Sequence, residues 1–154
     1  MTTHYLERWL AGQARYVSSV CTGSLLLGAA GLLRGKHAAC HWAFRELLDL
    51  FGAIPDAARV VRDGNLFTGG GVTAGIDLAL AITAEIAGED HARAVQLALE
   101  YAPEPPFAGR PETALPQTVE AVRGRFARVW PERLATAQRA ARALATDFAH
   151  AGTV

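Results

Sequence analysis

Cys21 lies in the run Val20-Cys21-Thr22-Gly23-Ser24, where a predicted strand meets a predicted helix. A nucleophile on such a turn is held in a strained, exposed position above the sheet. The start of the helix supplies free N–H groups and a positive dipole end, and both stabilise a thiolate. Small neighbouring residues let a substrate approach closely. The pattern therefore predicts a cysteine nucleophile, with a buried structural cysteine as the alternative.

His41 lies twenty residues after Cys21 and follows a short predicted strand, so it could return to the same end of the sheet. A hydrogen-bonded histidine at a strand end is the alternative to a place in the pocket of the nucleophile. The adjacent Trp42 could either wall such a pocket or fill the hydrophobic core.

A glycine run, Gly69-Gly70-Gly71, precedes another predicted helix. Glycines ahead of a helix N-terminus can bind phosphate, but this run has neither a GxGxxG pattern nor a P-loop lysine. The only lysine of the chain is Lys36. Asp77 falls in the first turn of the helix that follows, where a carboxylate is electrostatically favoured, so we expect it to have a structural role.

Metal binding and nucleic-acid binding are both disfavoured. His37, Cys40 and His41 include adjacent strand residues that point to opposite faces, and no matching cluster completes a tetrahedral set. Six arginines between Arg123 and Arg142 are typical of a solvated helix face. The formal net charge is zero and no helix-turn-helix is recognisable, so we do not expect a nucleic-acid partner.

Predicted strands and helices alternate along the chain, which indicates an α/β domain with a mostly parallel sheet. A turn at Asp63-Gly64-Asn65 joins two of the strands, and Pro131 is expected to break or kink the tail helix. The predicted strands are 16–20, 37–40, 59–62 and 66–68; the predicted helices are 3–15, 23–33, 43–51, 73–87, 89–101 and 117–150, with an extended proline-rich loop over 103–116.

Length and composition suit one globular domain, since the chain has 154 residues of which 51% are hydrophobic. Fifteen basic and fifteen acidic residues balance, which argues against a protein that mainly grips phosphates or an anionic membrane. Two cysteines cannot form a disulfide framework, so we expect a reducing cytoplasm. Residues 16–33 are uncharged but contain serines and glycines, so we interpret them as protein interior rather than a membrane span.

The residues around Cys21, 19–33, resemble the nucleophile elbow of the ThiJ/PfpI superfamily, which is related to class I glutamine amidotransferases. His41-Trp42 and the runs 68–77 and 99–107 look like one branch of it, the isonitrile hydratases. The resemblance covers about residues 16–116. It implies a flavodoxin-like three-layer sandwich, a homodimer and a cysteine nucleophile that needs no metal or organic cofactor. We therefore expect a partial family domain over 1–116 and a helical extension over 117–154.

The resemblance also implies a site. Cys21 would be catalytic, and the glycine run would be a close-approach loop beside it. Thr22 directly follows the cysteine, as in the hydratases, where peptidase-like relatives have a histidine; the His-x-Glu pair of the amidotransferases is absent. The residues expected to line the substrate pocket are Thr22, His41, Trp42, Gly70 and Thr73.

The implied activity is hydration of a small isonitrile to an N-substituted formamide through a thioimidate on Cys21. The aspartate that assists the cysteine in the hydratases has no counterpart here, and a central strand over 16–20 would need neighbours on both sides. We therefore expect the N-terminal part of the domain to be missing and the activity to be impaired. A ligand-sensing domain of AraC-type transcription regulators is the alternative. A redox or carbonyl-detoxifying relative would require a nearby glutamate that we do not find.

Overall fold

The computed structural model describes residues 14–151, with side chains described up to residue 147. The helix expected over 3–15 lies outside this range except for its last two residues, which are not helical. The chain divides into two compact units. The first runs up to Leu78 and also includes the segment that begins at Glu132, and the second is Ala79–Pro131.

Five short strands lie in the described part of the first unit. Its strands and helices, in chain order, are β1 (Val17–Val20), α1 (Gly23–Ala29), β2 (His37–Ala39), a 3₁₀ helix (Arg45–Phe51), β3 (Ile54–Asp56), β4 (Val60–Asp63) and β5 (Leu66–Gly69). One sheet has the order β1-β5-β4, with β1 parallel to β5 and β4 antiparallel to it. The other sheet is the parallel pair of β2 and β3.

Hydrogen bonds from side chains connect the two sheets at Ala39, the last residue of β2. The Ala39 N–H donates to Thr68 Oγ1 on β5 at 2.8 Å. The Ala39 carbonyl accepts from Ser24 Oγ on α1 at 2.6 Å. All three residues are buried, so these bonds satisfy polar groups that would otherwise be costly to remove from water. They fix the end of β2 against both β5 and α1.

Close packing at Gly28 positions α1 against the 3₁₀ helix. A Cβ at Gly28 would lie 2.6 Å from Cδ2 of Phe51, so only glycine allows this approach. Leu33 and Leu48 are fully buried in the same core, whereas Leu26 on α1 is 67% exposed.

Four further helices complete the described chain: α2 (Ala74–Ala87), α3 (Glu89–Ala98), α4 (Pro116–Phe126) and α5 (Trp130–Ala151). Within the second unit, Arg93 on α3 binds Glu89 at 2.7 Å and Asp90 at 3.1 Å. In the first unit, α5 buries Ala137 and Leu144. Among the described helices, none combines the length and the hydrophobicity that a membrane span requires.

The structure confirms an α/β architecture in which two of the three described strand pairings are parallel. It differs from the predicted elements mainly in three places, the first being that the helix expected over 43–51 is a 3₁₀ helix over Arg45–Phe51. The helix expected over 23–33 ends at Ala29, shortly before Gly31 adopts a φ of 76°. β3 was not predicted; it contains Pro55, and a proline within a run normally argues against a strand. The expected break of the tail helix is confirmed, since α4 ends at Phe126 and α5 begins at Trp130, with Pro131 in the first turn of α5, where its missing N–H costs nothing.

Candidate active site

Cys21 occupies a strained turn between β1 and α1. Its φ is 60°, in the left-handed region that side chains with a Cβ rarely adopt, and Glu100 is the only other described non-glycine residue with a positive φ. The side chain of Cys21 is half-buried. The sharp backbone turn predicted at this cysteine is therefore confirmed.

The N-terminus of α1 has no acidic side chain of its own that would offset the helix dipole. Thr22 is the N-cap residue, and the first turn of α1 contains no acidic side chain. The positive dipole end of the helix is consequently not offset locally, which is favourable for negative charge on a group at this turn.

Burial distinguishes the two cysteines. Cys40 is 2% exposed, and burial raises the pKa of its thiol to about 12, with the neighbouring Cys21 adding to the effect. The backbone N–H of His41 and the charge of Arg45 oppose this rise only in part. Cys40 is therefore a thiol at neutral pH, which leaves Cys21 as the candidate nucleophile.

His41 follows β2 and contacts two aromatic rings. Its ring stacks on Trp42 with centroids 5.8 Å apart and packs against Phe44 at 5.9 Å. Burial lowers the pKa of His41 below its ordinary value, which favours the neutral ring. The backbone N–H of Ala43 donates to Nδ1 at 3.2 Å, so in the neutral ring the proton is on Nε2. His41 therefore offers a donor from Nε2.

The glycine run links Cys21 to the segment that contains His41. The Cys21 N–H donates to the carbonyl oxygen of Gly69 at 2.9 Å. A Cβ at Gly70 would lie 3.9 Å from the carbonyl oxygen of Cys40, and one at Gly71 would lie 4.0 Å from Cδ2 of His41. The carboxyl ends of β1, β5 and β2 thus converge at one place, as the site residues require.

Thr73 is engaged in a polar cluster at the start of α2. The Arg59 guanidinium donates to the carbonyl oxygen of Thr73 at 2.9 Å and to its Oγ1 at 3.3 Å. The same guanidinium binds Asp77 at 2.7 Å, which agrees with the structural role expected for this carboxylate. Sequence reasoning missed Arg59, because an arginine at the start of a strand gives no signal of its long-range partner.

The expected site residues therefore fall into two groups. Five of them lie on or next to the converging strand ends: Cys21, Thr22, Gly70, His41 and Trp42. The sixth, Thr73, is held by Arg59 in the polar cluster at the start of α2. Within residues 14–147, no group of three or more histidine, cysteine, aspartate or glutamate side chains could hold a metal ion.

A nucleophile on a strained strand-to-helix turn, as Cys21 is here beside the glycine loop, is the mark of a class of α/β proteins with a nucleophile elbow. The sequence matches the model of the DJ-1/PfpI family over residues 5–85, and the chain belongs to this family. The resemblance inferred from the sequence is confirmed.

Three relatives make the comparison more specific. The chain is 60% identical to the isonitrile hydratase of Pseudomonas putida over 132 residues, which are 85% of this chain and 58% of that protein. It is 45% identical to a crystallised ThiJ/PfpI family protein from Pseudomonas syringae, with a TM-score of 0.81 over 91% of this chain and 56% of that one. It is 34% identical to the HTH-type transcriptional regulator GbdR of Pseudomonas aeruginosa over 91 residues, 58% of this chain and 24% of the regulator.

These comparisons confirm the predicted fold class, an α/β flavodoxin-like domain with C-terminal helices. The chain spans somewhat more than half the length of the isonitrile hydratase and of the solved structure that it matches.

Proposed function

We propose that this chain contains the nucleophile and the pocket of an isonitrile hydratase-like lyase, which converts R–N≡C and water into an N-substituted formamide. The observation that carries this proposal is the 60% identity to isonitrile hydratase over 85% of the chain. The left-handed turn at Cys21, next to a buried Cys40 that cannot serve as the nucleophile, supports it independently.

The proposed reaction has two steps. The thiolate of Cys21 attacks the terminal carbon of the isonitrile, which forms a C–S bond, and the same carbon takes up a proton to give a thioimidate, R–N=CH–S–Cys21. Water then adds to this carbon, the C–S bond breaks, and the thiolate leaves as the nitrogen takes up a proton. The products are R–NH–CHO and the free enzyme. Covalent catalysis thus divides one difficult hydration into two easier additions.

The other site residues are proposed to shape the pocket around this carbon. His41 contributes a neutral ring with a donor at Nε2, and Trp42 supports that ring from one face. Gly70 keeps the backbone of the glycine loop close to the reacting atoms. Thr22 and Thr73 are proposed as further lining residues, with Thr73 fixed by Arg59.

The test is an isonitrile hydration assay that follows formamide by chromatography, using variants of each cysteine. Cys21→Ala should abolish turnover, while Cys40→Ala, the matched control, should retain it after correction for the folded fraction. Loss of turnover in Cys40→Ala with retention in Cys21→Ala would overturn the assignment of the nucleophile. A wild-type chain that binds isonitriles without releasing formamide would overturn the proposed activity.

A ligand-sensing domain is the second candidate, favoured by the likeness to the regulator GbdR. That likeness has lower identity and covers less of the chain than the likeness to isonitrile hydratase. Sensing predicts that a small molecule raises the melting temperature and is recovered unchanged, whereas the hydratase proposal predicts its conversion.

Three further properties belong to the proposal. We propose a homodimer, supported by Leu97, Leu99 and Phe107 of the second unit, whose side chains are 82%, 63% and 83% exposed. Light scattering on a sizing column tests this assembly.

A cytoplasmic location is supported by the two free thiols. The division into a family domain over 1–116 and an extension over 117–154 stays a prediction, which limited proteolysis would test.

A further inference from the structure

Ser24 forms hydrogen bonds on both sides of its hydroxyl group while being fully buried. Its Oγ donates to the carbonyl oxygen of Ala39 at 2.6 Å and lies 2.8 Å from Oγ of Ser19. A carbonyl oxygen can only accept, so the single O–H of Ser24 is committed to Ala39. Ser19 must therefore be the donor to Ser24, and the pair forms a directed relay from β1 through α1 to β2.

This relay brackets the candidate nucleophile. Ser19 is two residues before Cys21 on β1, and Ser24 is three residues after it in the first turn of α1. The bond between the two hydroxyls therefore joins both flanks of the strained turn. At the other end of the relay, the carbonyl of Ala39 immediately precedes Cys40 and His41.

We propose that Ser24 is a positioning residue, which holds Cys21 in its left-handed conformation and fixes that turn relative to the segment containing His41. This inference rests on the proposed function, because it gives Ser24 a role in the chemistry of Cys21. The geometry that carries it is one buried hydroxyl that contacts both flanks of the turn. The expected consequence of its loss is misplacement of Cys21, to which reaction rates are very sensitive.

Thr68 provides a matched control, because its side chain also bonds to the backbone of Ala39. Its side chain is as fully buried as that of Ser24 and accepts from the Ala39 N–H at 2.8 Å. Its hydroxyl anchors Ala39 to β5 and has no described bond to either flank of Cys21, while its backbone pairs with Ser19 in the ladder of β1 and β5 and is unchanged by the substitution to valine. Thr68→Val and Ser24→Ala therefore each remove one buried hydrogen bond to Ala39, and only the second releases the turn.

The experiment compares Ser24→Ala, Ser19→Ala and Thr68→Val in the full chain. It measures melting temperature, kcat and KM for isonitrile hydration, and the rate at which iodoacetamide labels Cys21, located by peptide mass spectrometry. Ser24→Ala should lower kcat by about tenfold or more while KM stays within about twofold. It should also change the labelling rate several-fold. Ser19→Ala should shift both quantities in the same direction by a smaller factor, and Thr68→Val should lower only the melting temperature.

Equal melting losses in Ser24→Ala and Thr68→Val, with kcat and labelling rate unchanged in both, would reduce Ser24 to a purely structural residue and overturn the proposal. If Ser24→Ala does not fold, the half-buried Ser19→Ala decides the question through the same two rates. If the wild-type chain does not hydrate isonitriles, the proposed function fails. The labelling rates of Cys21 in the variants then still decide whether the relay positions the turn.

Discussion

The backbone N–H of Cys21 donates to the carbonyl oxygen of Gly69 at 2.9 Å, and this bond continues the parallel pairing of β1 with β5 by one residue beyond Val20. The next backbone step is helical, at Thr22. Cys21 is thus fixed on one side by a strand and on the other by a helix start, and its φ of 60° is the geometry that joins them. Strain at this residue is maintained by the elements around it.

This strain should reverse the usual order of alanine and glycine at position 21. The left-handed conformation disfavours any residue with a Cβ by about 1–2 kcal/mol, while glycine adopts it freely. Cys21→Gly should therefore be more stable than Cys21→Ala by about 1 kcal/mol in the free energy of unfolding, measured by urea titration. At the exposed Ser18 of β1, the same pair of substitutions should show alanine as the more stable. If the alanine variant were the more stable at both positions, the backbone of Cys21 would not be strained.

The approach of α1 to the 3₁₀ helix predicts a cost for the smallest possible side chain at Gly28. A Cβ there would lie 2.6 Å from Cδ2 and 2.8 Å from Cγ of Phe51, and these ring atoms cannot move away cheaply. Gly28→Ala should lower the free energy of unfolding by about 1–3 kcal/mol. Gly124→Ala is the control, because it adds a Cβ to α4 in open space and should gain up to about 1 kcal/mol. A stabilising Gly28→Ala would contradict the close packing.

His41 should make stability depend on pH. Because burial lowers its pKa in the folded chain, the unfolded chain binds the proton more readily. The contribution of His41 to the free energy of unfolding is fully present above its pKa in the unfolded chain, about 6.5. This contribution is lost as the pH falls from that value through the lowered pKa in the folded chain. Urea titrations at a series of pH values should show this loss in the wild type and a weaker one in His41→Gln. An unchanged pH dependence in His41→Gln would exclude His41 as its source.

The two cysteines should react at very different rates. Cys40 is buried, with a pKa raised to about 12, whereas Cys21 is half-buried at the turn. Iodoacetamide near neutral pH should therefore label Cys21 first, as peptide mass spectrometry can show. Faster labelling of Cys40 in the native chain would mean that the assignment of Cys21 as the nucleophile is wrong. A urea-unfolded sample, in which both are exposed, provides the reference rates.

Local patterns were enough to predict the elements that present the nucleophile. The change from Val17 and Val20 to the run of leucine and glycine indicated a strand followed by a helix at Cys21, and the Asp63-Gly64-Asn65 turn indicated the hairpin of β4 and β5. Each of these signals lies within a few residues of the feature that it predicts. The fold class followed from their order along the chain.

Long-range hydrogen bonds could not be predicted in this way. Ser24 meets Ala39 fifteen residues away, Thr68 meets Ala39 across twenty-nine residues, and Arg59 meets Asp77 across eighteen. No local pattern marks such a serine, threonine or arginine as the partner of a distant group. The long-range hydrogen bonds that organise the site could therefore be identified only from the three-dimensional structure.

Cys21 is proposed to bond to the substrate carbon, and trapping that bond is the most direct test of the proposed reaction. The chain would be mixed with a slowly hydrolysed isonitrile, quenched in acid, and analysed by intact-protein and peptide mass spectrometry. We expect a gain of one isonitrile mass per chain, located on the peptide that contains Cys21 and absent from Cys21→Ala. An adduct on Cys40, or formamide production that persists in Cys21→Ala, would contradict the proposed reaction.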